Sequence, residues 1–360
     1  MAEDPARLPT ESPATPASGG SVEGPDFRGP GVDTGEAPGG ALPGVLRFFV
    51  VPLVLVAASL AIFAGLGALV GQGPPTPADL VRTIAEGGKN ARWQAAQELS
   101  NQVARGDLDL ARDERLSLTL AEAFEKARAG GDDARVLEHL ALLLGRADPA
   151  VAGPVLRKAL ADGNPDVRVF VVGALSQQGL PGDIDLLLAR LGDLDPGVRA
   201  VAAFAAAGVM ARSGGEGKDE RRAALRKALG DTSVDVQWNA ALGLARLGDP
   251  AGADLVWNLL HRDFVRANLK GAEGGEGAGF LAIRGADPAG PGEREELVVM
   301  NALSAAFRLR DRSMHDGVRA LAASDPSDSV RDWALKAAAE LDREVGEKGP
   351  VPQRSWTAAR

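Results

Sequence analysis

The 360-residue chain has no Cys and no Tyr, three His, and only 4% aromatic residues. Without thiols there is no disulfide framework, no thiolate zinc or iron–sulfur site and no cysteine nucleophile. Three His leave little for imidazole metal chemistry. Positive charge is also in the minority, with 40 Lys and Arg against 49 Asp and Glu and a formal net charge of −9. That balance argues against nucleic acid, which is bound by clustered Lys and Arg that displace counterions. What is abundant is small and aliphatic. A 45% hydrophobic content with so few rings implies an Ala/Leu/Val-rich interior. Such an interior favours close-packed helices over sandwiches or barrels.

Composition divides the chain. Residues 1–44 hold eight Pro and carry a charge of −5. They cannot bury enough apolar area to offset their ordering entropy, which predicts a disordered tail. Residues 48–71 (FFVVPLVLVAASLAIFAGLGALVG) contain no charge and no polar face. At ~1.5 Å per residue such a run reaches across a ~30 Å hydrocarbon layer, so the sequence predicts a transmembrane helix within 45–71. A cleavable signal peptide fits less well, because its apolar core is ~7–15 residues and follows a short basic stretch. Arg47 at the edge of the run leans toward an N-terminus inside and the remainder across the membrane. Residues 72–78 read as a linker, 79–345 as the folded domain, and 346–360 as a disordered tail.

The folded part repeats. Fourteen-residue segments starting at Ala91, Ala134, Val167, Val198, Val236, Val298 and Val330 align without gaps. Five residues before the start stands Glu86, Asp162, Asp193, Asp231, Glu293 or Asp325. Arg92, Arg135, Arg168, Arg199 and Arg331 follow the start directly. Small residues at +4 and +7 share one helical face with the start and let neighbouring helices approach closely. The acidic residue is expected to cap the coming helix, and the Arg to bridge to the turn of the next unit. Each segment follows another amphipathic stretch, such as GPVLRKALAD (153–162) or DIDLLLARLGD (183–193). A single helix pair cannot bury its apolar face, but stacked pairs form a continuous core.

The pattern P-x-V-R-x-x-A-x-x-A-L with a preceding Asp resembles the HEAT-repeat family, and most closely its phycobilisome-lyase-type HEAT-like repeat. Pro165 to Arg168 and Pro196 to Arg199 carry the resemblance best. It implies an all-α fold, an α-solenoid of about seven HEAT-like helix pairs. The transmembrane helix and the N-terminal tail would precede it. One interval between starts is doubled, and the Gly-rich stretch 263–295 is read there as an insertion or a replaced unit. Phe280 and Ile283 belong to its apolar cluster.

Chemistry is harder to find. GAEGGEGAGF (271–280) and SGGEGKDE (213–220) put acidic residues where a phosphate would lie and lack the phosphate-loop spacing. His139, His261 and His315 fall in different repeats. Deoxyhypusine hydroxylase, a HEAT-repeat enzyme, holds iron through His-Glu pairs, and this chain has no His-Glu dipeptide. No catalytic residue, metal, cofactor or small-molecule substrate is therefore expected. Asp162, Asp193, Asp231, Asp325, Arg168, Arg199 and Arg331 are assigned to capping and inter-repeat bridging. Trp93, Trp238, Trp257 and Trp333, with Phe280 and Ile283, are candidate partner-binding residues, because Trp is favoured at interface hot spots.

The resulting expectation is a non-enzymatic, membrane-anchored scaffold or adaptor that holds a protein partner on the face of its solenoid. It would contact the bilayer through 48–71 in a bacterial inner membrane, the side of the solenoid left open with a lean to the periplasm. Two rivals stay open. One is an accessory subunit of a membrane transport or envelope complex. The other is a repeat-scaffold enzyme of the bilin-lyase type.

Overall fold

The computed structural model describes residues 52–62, 75–214, 218–269 and 291–348. Among them every regular element is helical. The chain separates into two compact units, residues 1–72 and 73–360.

In the first unit the described residues form one helix over 52–62, exposed along its length. Its 11 residues correspond to about 16 Å, roughly half a hydrocarbon layer. Among the described residues no helix is long and apolar enough to cross a membrane. The expected transmembrane helix is thus corrected: of the apolar run 48–71, the described residues form an apolar helix over 52–62. The expected tail at 1–44 lies outside the described residues, as do Phe280 and Ile283; of the expected tail at 346–360, residues 346–348 belong to the last helix and the rest lies outside the described residues.

Among the described residues the second unit is an array of seven helix pairs. The first three are α1 (Pro77–Glu86) with α2 (Lys89–Arg105), α3 (Glu114–Gly130) with α4 (Ala134–Leu144), and α5 (Pro149–Ala159) with α6 (Pro165–Gln178). Then come α7 (Ile184–Ala189) with α8 (Pro196–Ser213) and α9 (Lys218–Ala228) with α10 (Val234–Arg246). The sixth pair is α11 (Ala253–Leu259) with α13 (Pro291–Leu309), and α12 (Arg262–Leu269) lies between them in sequence. The last is α14 (His315–Ser324) with α15 (Asp328–Lys348).

Local chemistry sets the boundaries. Thr76 and Asp79 form a reciprocal capping box at α1. Asp113, Asp148, Asn164 and Asp195 accept from backbone N–H groups at the starts of α3, α5, α6 and α8. Pro149, Pro165 and Pro196 occupy first helical positions, where a missing N–H costs nothing. Gly106, Gly131 and Gly179 end helices with positive φ, as left-handed C-caps require.

Second helices stack on second helices through the array, α2 on α4 and onward to α13 on α15. Close approach needs small residues. A Cβ on Gly243 would stand 2.8 Å from Ala207 Cβ, so α8 and α10 are in backbone-near contact there. In α8, all but one of residues 198–210 that do not face a turn are Ala, Gly, Val or Met and are buried, as expected of a helix in mid-array. The core runs as two apolar clusters that meet on α10. Val236, Ala240 and Leu244 face the earlier units, while Trp238, Ala241 and Ala245 face the later ones.

The doubled interval falls between the two helices of the sixth pair. Helix α11 packs directly on α13, although the chain between them runs through α12 and residues 270–290. Helices enter the Gly-rich stretch from both sides. Arg266 Nε and Nη2 donate to the Glu295 carboxylate at 2.9 and 3.0 Å and hold α12 to α13.

Candidate interaction surface

An arginine–carboxylate ladder ties each unit to the next. Arg168 Nε and Nη2 grip Asp193 at 2.9 and 2.6 Å, and Arg168 Nη1 donates to the Asp162 carbonyl at 2.8 Å. Arg199 repeats this one unit on, holding Asp231 at 2.9 Å twice and the Asp193 carbonyl at 3.0 Å. Gln237 takes the corresponding carbonyl bond to Asp231, with no charge to carry onward. Arg92 pairs with Asp132, and Arg262 reaches Asp325 at 2.7 and 2.8 Å across the insertion.

The sequence-assigned roles shift in detail. Asp162, Asp193, Asp231 and Asp325 accept from the N–H two residues on, at 2.9, 3.0, 2.9 and 2.9 Å, inside the turn. Helix capping itself falls to Asn164 and Asp195. Arg128 on α3, not Arg135, supplies the guanidinium for Asp162 at 2.6 Å. Arg135 instead lies over the Trp93 ring, 6.0 Å from its centroid. Arg331 stands in the last unit, so it turns back to the Asp325 carbonyl and to Asp328.

Charge pairing shows in the carboxyls. Burial pushes Asp193 upward, but hydrogen bonds from Arg168 and the Asp195 N–H outweigh it and leave the group below its ordinary value. Asp231 and Asp162 behave alike, with Arg199 and Arg128 as partners. Arg128, Arg157, Arg168, Arg199 and Arg262 are each raised, chiefly by a carboxylate hydrogen bond.

The four Trp separate into two classes. Trp238 is 1% exposed and Trp257 6% exposed, so both are core residues and present no surface. Phe264 of α12 covers Trp238 with ring centroids 6.3 Å apart, and Gly317 accommodates the Trp257 ring. Trp93 and Trp333 are half-buried. Trp333 meets the exposed Phe307 edge-on at 6.0 Å. It also lines an open groove between α13 and α15 with Leu297, Met300, Asn301 and Ser304.

One cation cluster escaped the sequence reading. Arg246 ends α10 and lies over the Phe204 ring at 5.8 Å. Arg246 Nη1 and Arg212 Nη1 stand 3.5 and 3.7 Å from where a Cβ on Gly208 would be. Burial, then the charges of Arg308 and Arg212, push the Arg246 guanidinium below its ordinary value. Among the described residues none of these three pairs with a carboxylate. The signal was available: positions +10 of the fourth to sixth segments read Gly208, Arg246 and Arg308.

His139 and His261 direct Nδ1 at the carbonyls of Arg135 and Trp257, 2.8 and 2.9 Å away, and buried His315 faces Asp342. Among the described residues no three His, Asp or Glu gather as a metal site would require.

The class these features define is an α-solenoid of stacked helix pairs. Residues 121–207, spanning α3 to α8, match the family model for HEAT repeats. No curated protein matches the chain. Among solved structures, human deoxyhypusine hydroxylase in complex with glycerol is similar at 20% identity and a TM-score of 0.33. The match covers 74% of this chain and 96% of that one. A likeness of that size carries nothing about activity.

Proposed function

We propose that this protein is a non-catalytic protein–protein interaction scaffold, holding a partner on the face formed by its second helices. The observation that carries the reading is the Trp333–Phe307 pair beside an open groove between α13 and α15. Buried rings such as Trp238 serve the core, whereas Phe307 is 38% exposed. Exposed aromatics next to Arg are what interface hot spots use. A stacked array also supplies a long rigid surface whose shape is fixed before binding, which lowers the ordering cost of association.

The test is a photo-crosslinking residue placed in the full chain at exposed Lys336 on α15 or at exposed Thr119 on α3. The reading expects one discrete protein adduct from position 336 and none from 119. Trp333→Ala should abolish it, since a hot-spot truncation costs about 2 kcal/mol or more. Adducts from position 119 alone, or none from either, would overturn it.

A further inference from the structure

We propose that the guanidinium strip of Arg212, Arg246 and Arg308 captures the carboxylates of an acidic peptide segment in the partner. The inference rests on the scaffold reading and names the chemistry of what the second-helix face holds.

The strip is built, not incidental. Positions at +10 of successive second helices read Gln177, Gly208, Arg246, Arg308 and Glu340. Gly208 leaves its place open, and both Arg246 and Arg212 reach within 4 Å of the same point above it. Arg212 is anchored there by a 2.6 Å bond from Nη2 to the Ser176 carbonyl, and Arg246 by the Phe204 ring. A guanidinium placed over a ring still has N–H groups with which to bind a carboxylate. The strip ends at α15, where Glu340 is taken by Arg343 at 2.7 Å.

Charge complementarity decides the occupant. In a chain with an excess of acid, the ladder arginines each hold a carboxylate, yet these three hold none among the described residues. Arg212 and Arg246 lie in last helical turns, where the dipole offsets part of their mutual repulsion. An arriving anion would offset the rest. Neighbouring helices pack ~8–10 Å apart, so three of them span about 20 Å, the length of roughly six extended residues. Exposed Phe307 adjoins Arg308 and offers an apolar contact beside the charges. A nucleic acid would meet the repulsion of a −9 chain and only a short cationic strip.

The probe is a fluorescent peptide of about eight alternating Glu and Leu residues, against its Gln counterpart, titrated with the full chain. Expected is binding of the Glu peptide that weakens with added salt, and roughly tenfold or greater loss in Arg246→Glu with Arg308→Glu. Arg115→Glu with Lys227→Glu makes the same net charge change on first helices and should leave binding intact. Arg246→Met should weaken binding while raising Tm by about 2 °C or more, because an unpaired half-buried charge is removed. A purely structural arginine would lower it. Equal binding of the Gln peptide, equal losses in both double variants, or tighter binding of an oligonucleotide would each overturn the proposal. A crosslink from position 336 that survives Arg246→Glu with Arg308→Glu would sink the acidic strip and leave the scaffold standing.

Discussion

Arg199 joins two turns at once. Its Nη1 donates to the carbonyls of Asp193 and Leu194 at 3.0 and 3.1 Å, while Nε and Nη2 hold the Asp231 carboxylate of the following unit. Both side chains are 15% exposed, so the pair is largely shielded from water. The contact fixes the angle between consecutive pairs as well as their spacing, because a planar fork accepts a carboxylate in one orientation.

The two ends of that bridge should not be equivalent. Arg199→Met strands a mostly buried carboxylate and two carbonyls, and the expected cost is about 3 kcal/mol. Asp231→Asn keeps an oxygen for the Ser233 N–H and should cost about 1–2 kcal/mol. Combining the two should cost less than their sum, since the stranded charge is gone. Urea unfolding of the four proteins checks the order. Equal single costs with strict additivity would mean the bridge is a surface ornament.

The same carboxylates give the array an acid limit. Asp162, Asp193 and Asp231 are held below their ordinary value of 3.8 in the fold. A depressed folded pKa contributes stability that is fully present above the unfolded value. It is lost as pH falls through the folded one. Stability should therefore be level above about pH 5 and fall steeply below about pH 4. Asp193→Asn should flatten that fall. An unfolding midpoint that drops through the neutral range instead would place the acid sensitivity elsewhere.

Much of the architecture was legible because a repeat states its own geometry several times. Small residues at +4 and +7, and an acid at −5, recur for reasons that stacking supplies. Phase within a degenerate unit was not legible, so Arg135 drew the role that Arg128 performs. The fates of Trp238 and Trp333 were not legible either. They differ by one register position, and Trp238 meets the Phe264 ring of α12, a helix hidden in the edge of a Gly-rich stretch. For residues 48–71 the span was inferred from composition alone, and among the described residues no helix is long and apolar enough to cross a membrane. The cluster at Arg246 needed the fold, because Gly208 matters only once its neighbours on α8 and α10 are known.

Glycines on two helices should respond in opposite senses to Ala. At Gly243 the new methyl would meet Ala207 Cβ at 2.8 Å and the Ala203 carbonyl at 3.3 Å, so α8 and α10 must part. Overpacking of this kind costs about 1–3 kcal/mol. Gly173 lies in mid-α6 with nothing within 4 Å of the new atom. There the helix gains propensity, and Gly173→Ala should stabilise by up to about 1 kcal/mol. Thermal melts of the two variants should shift in opposite directions, and a shared direction would contradict the contact geometry.

The lid over Trp238 makes the last prediction. Phe264 sits on α12, and its ring lies 6.3 Å from the Trp238 ring at an interplanar angle of 40°. If α12 is what turns an exposed register into core, trimming that one ring should uncover the indole without unfolding the array. Phe264→Ala should shift Trp emission to the red and raise acrylamide quenching, at a cost of about 2 kcal/mol for a half-buried ring. Helicity should stay unchanged, because α10 remains wedged between α8 and α13. Trp238→Phe in the same background should remove the red-shifted component, which identifies the responding ring among the chain's 5 Trp. Emission unaltered by Phe264→Ala would mean that other neighbours of α10 seal Trp238 and that α12 is dispensable to the core.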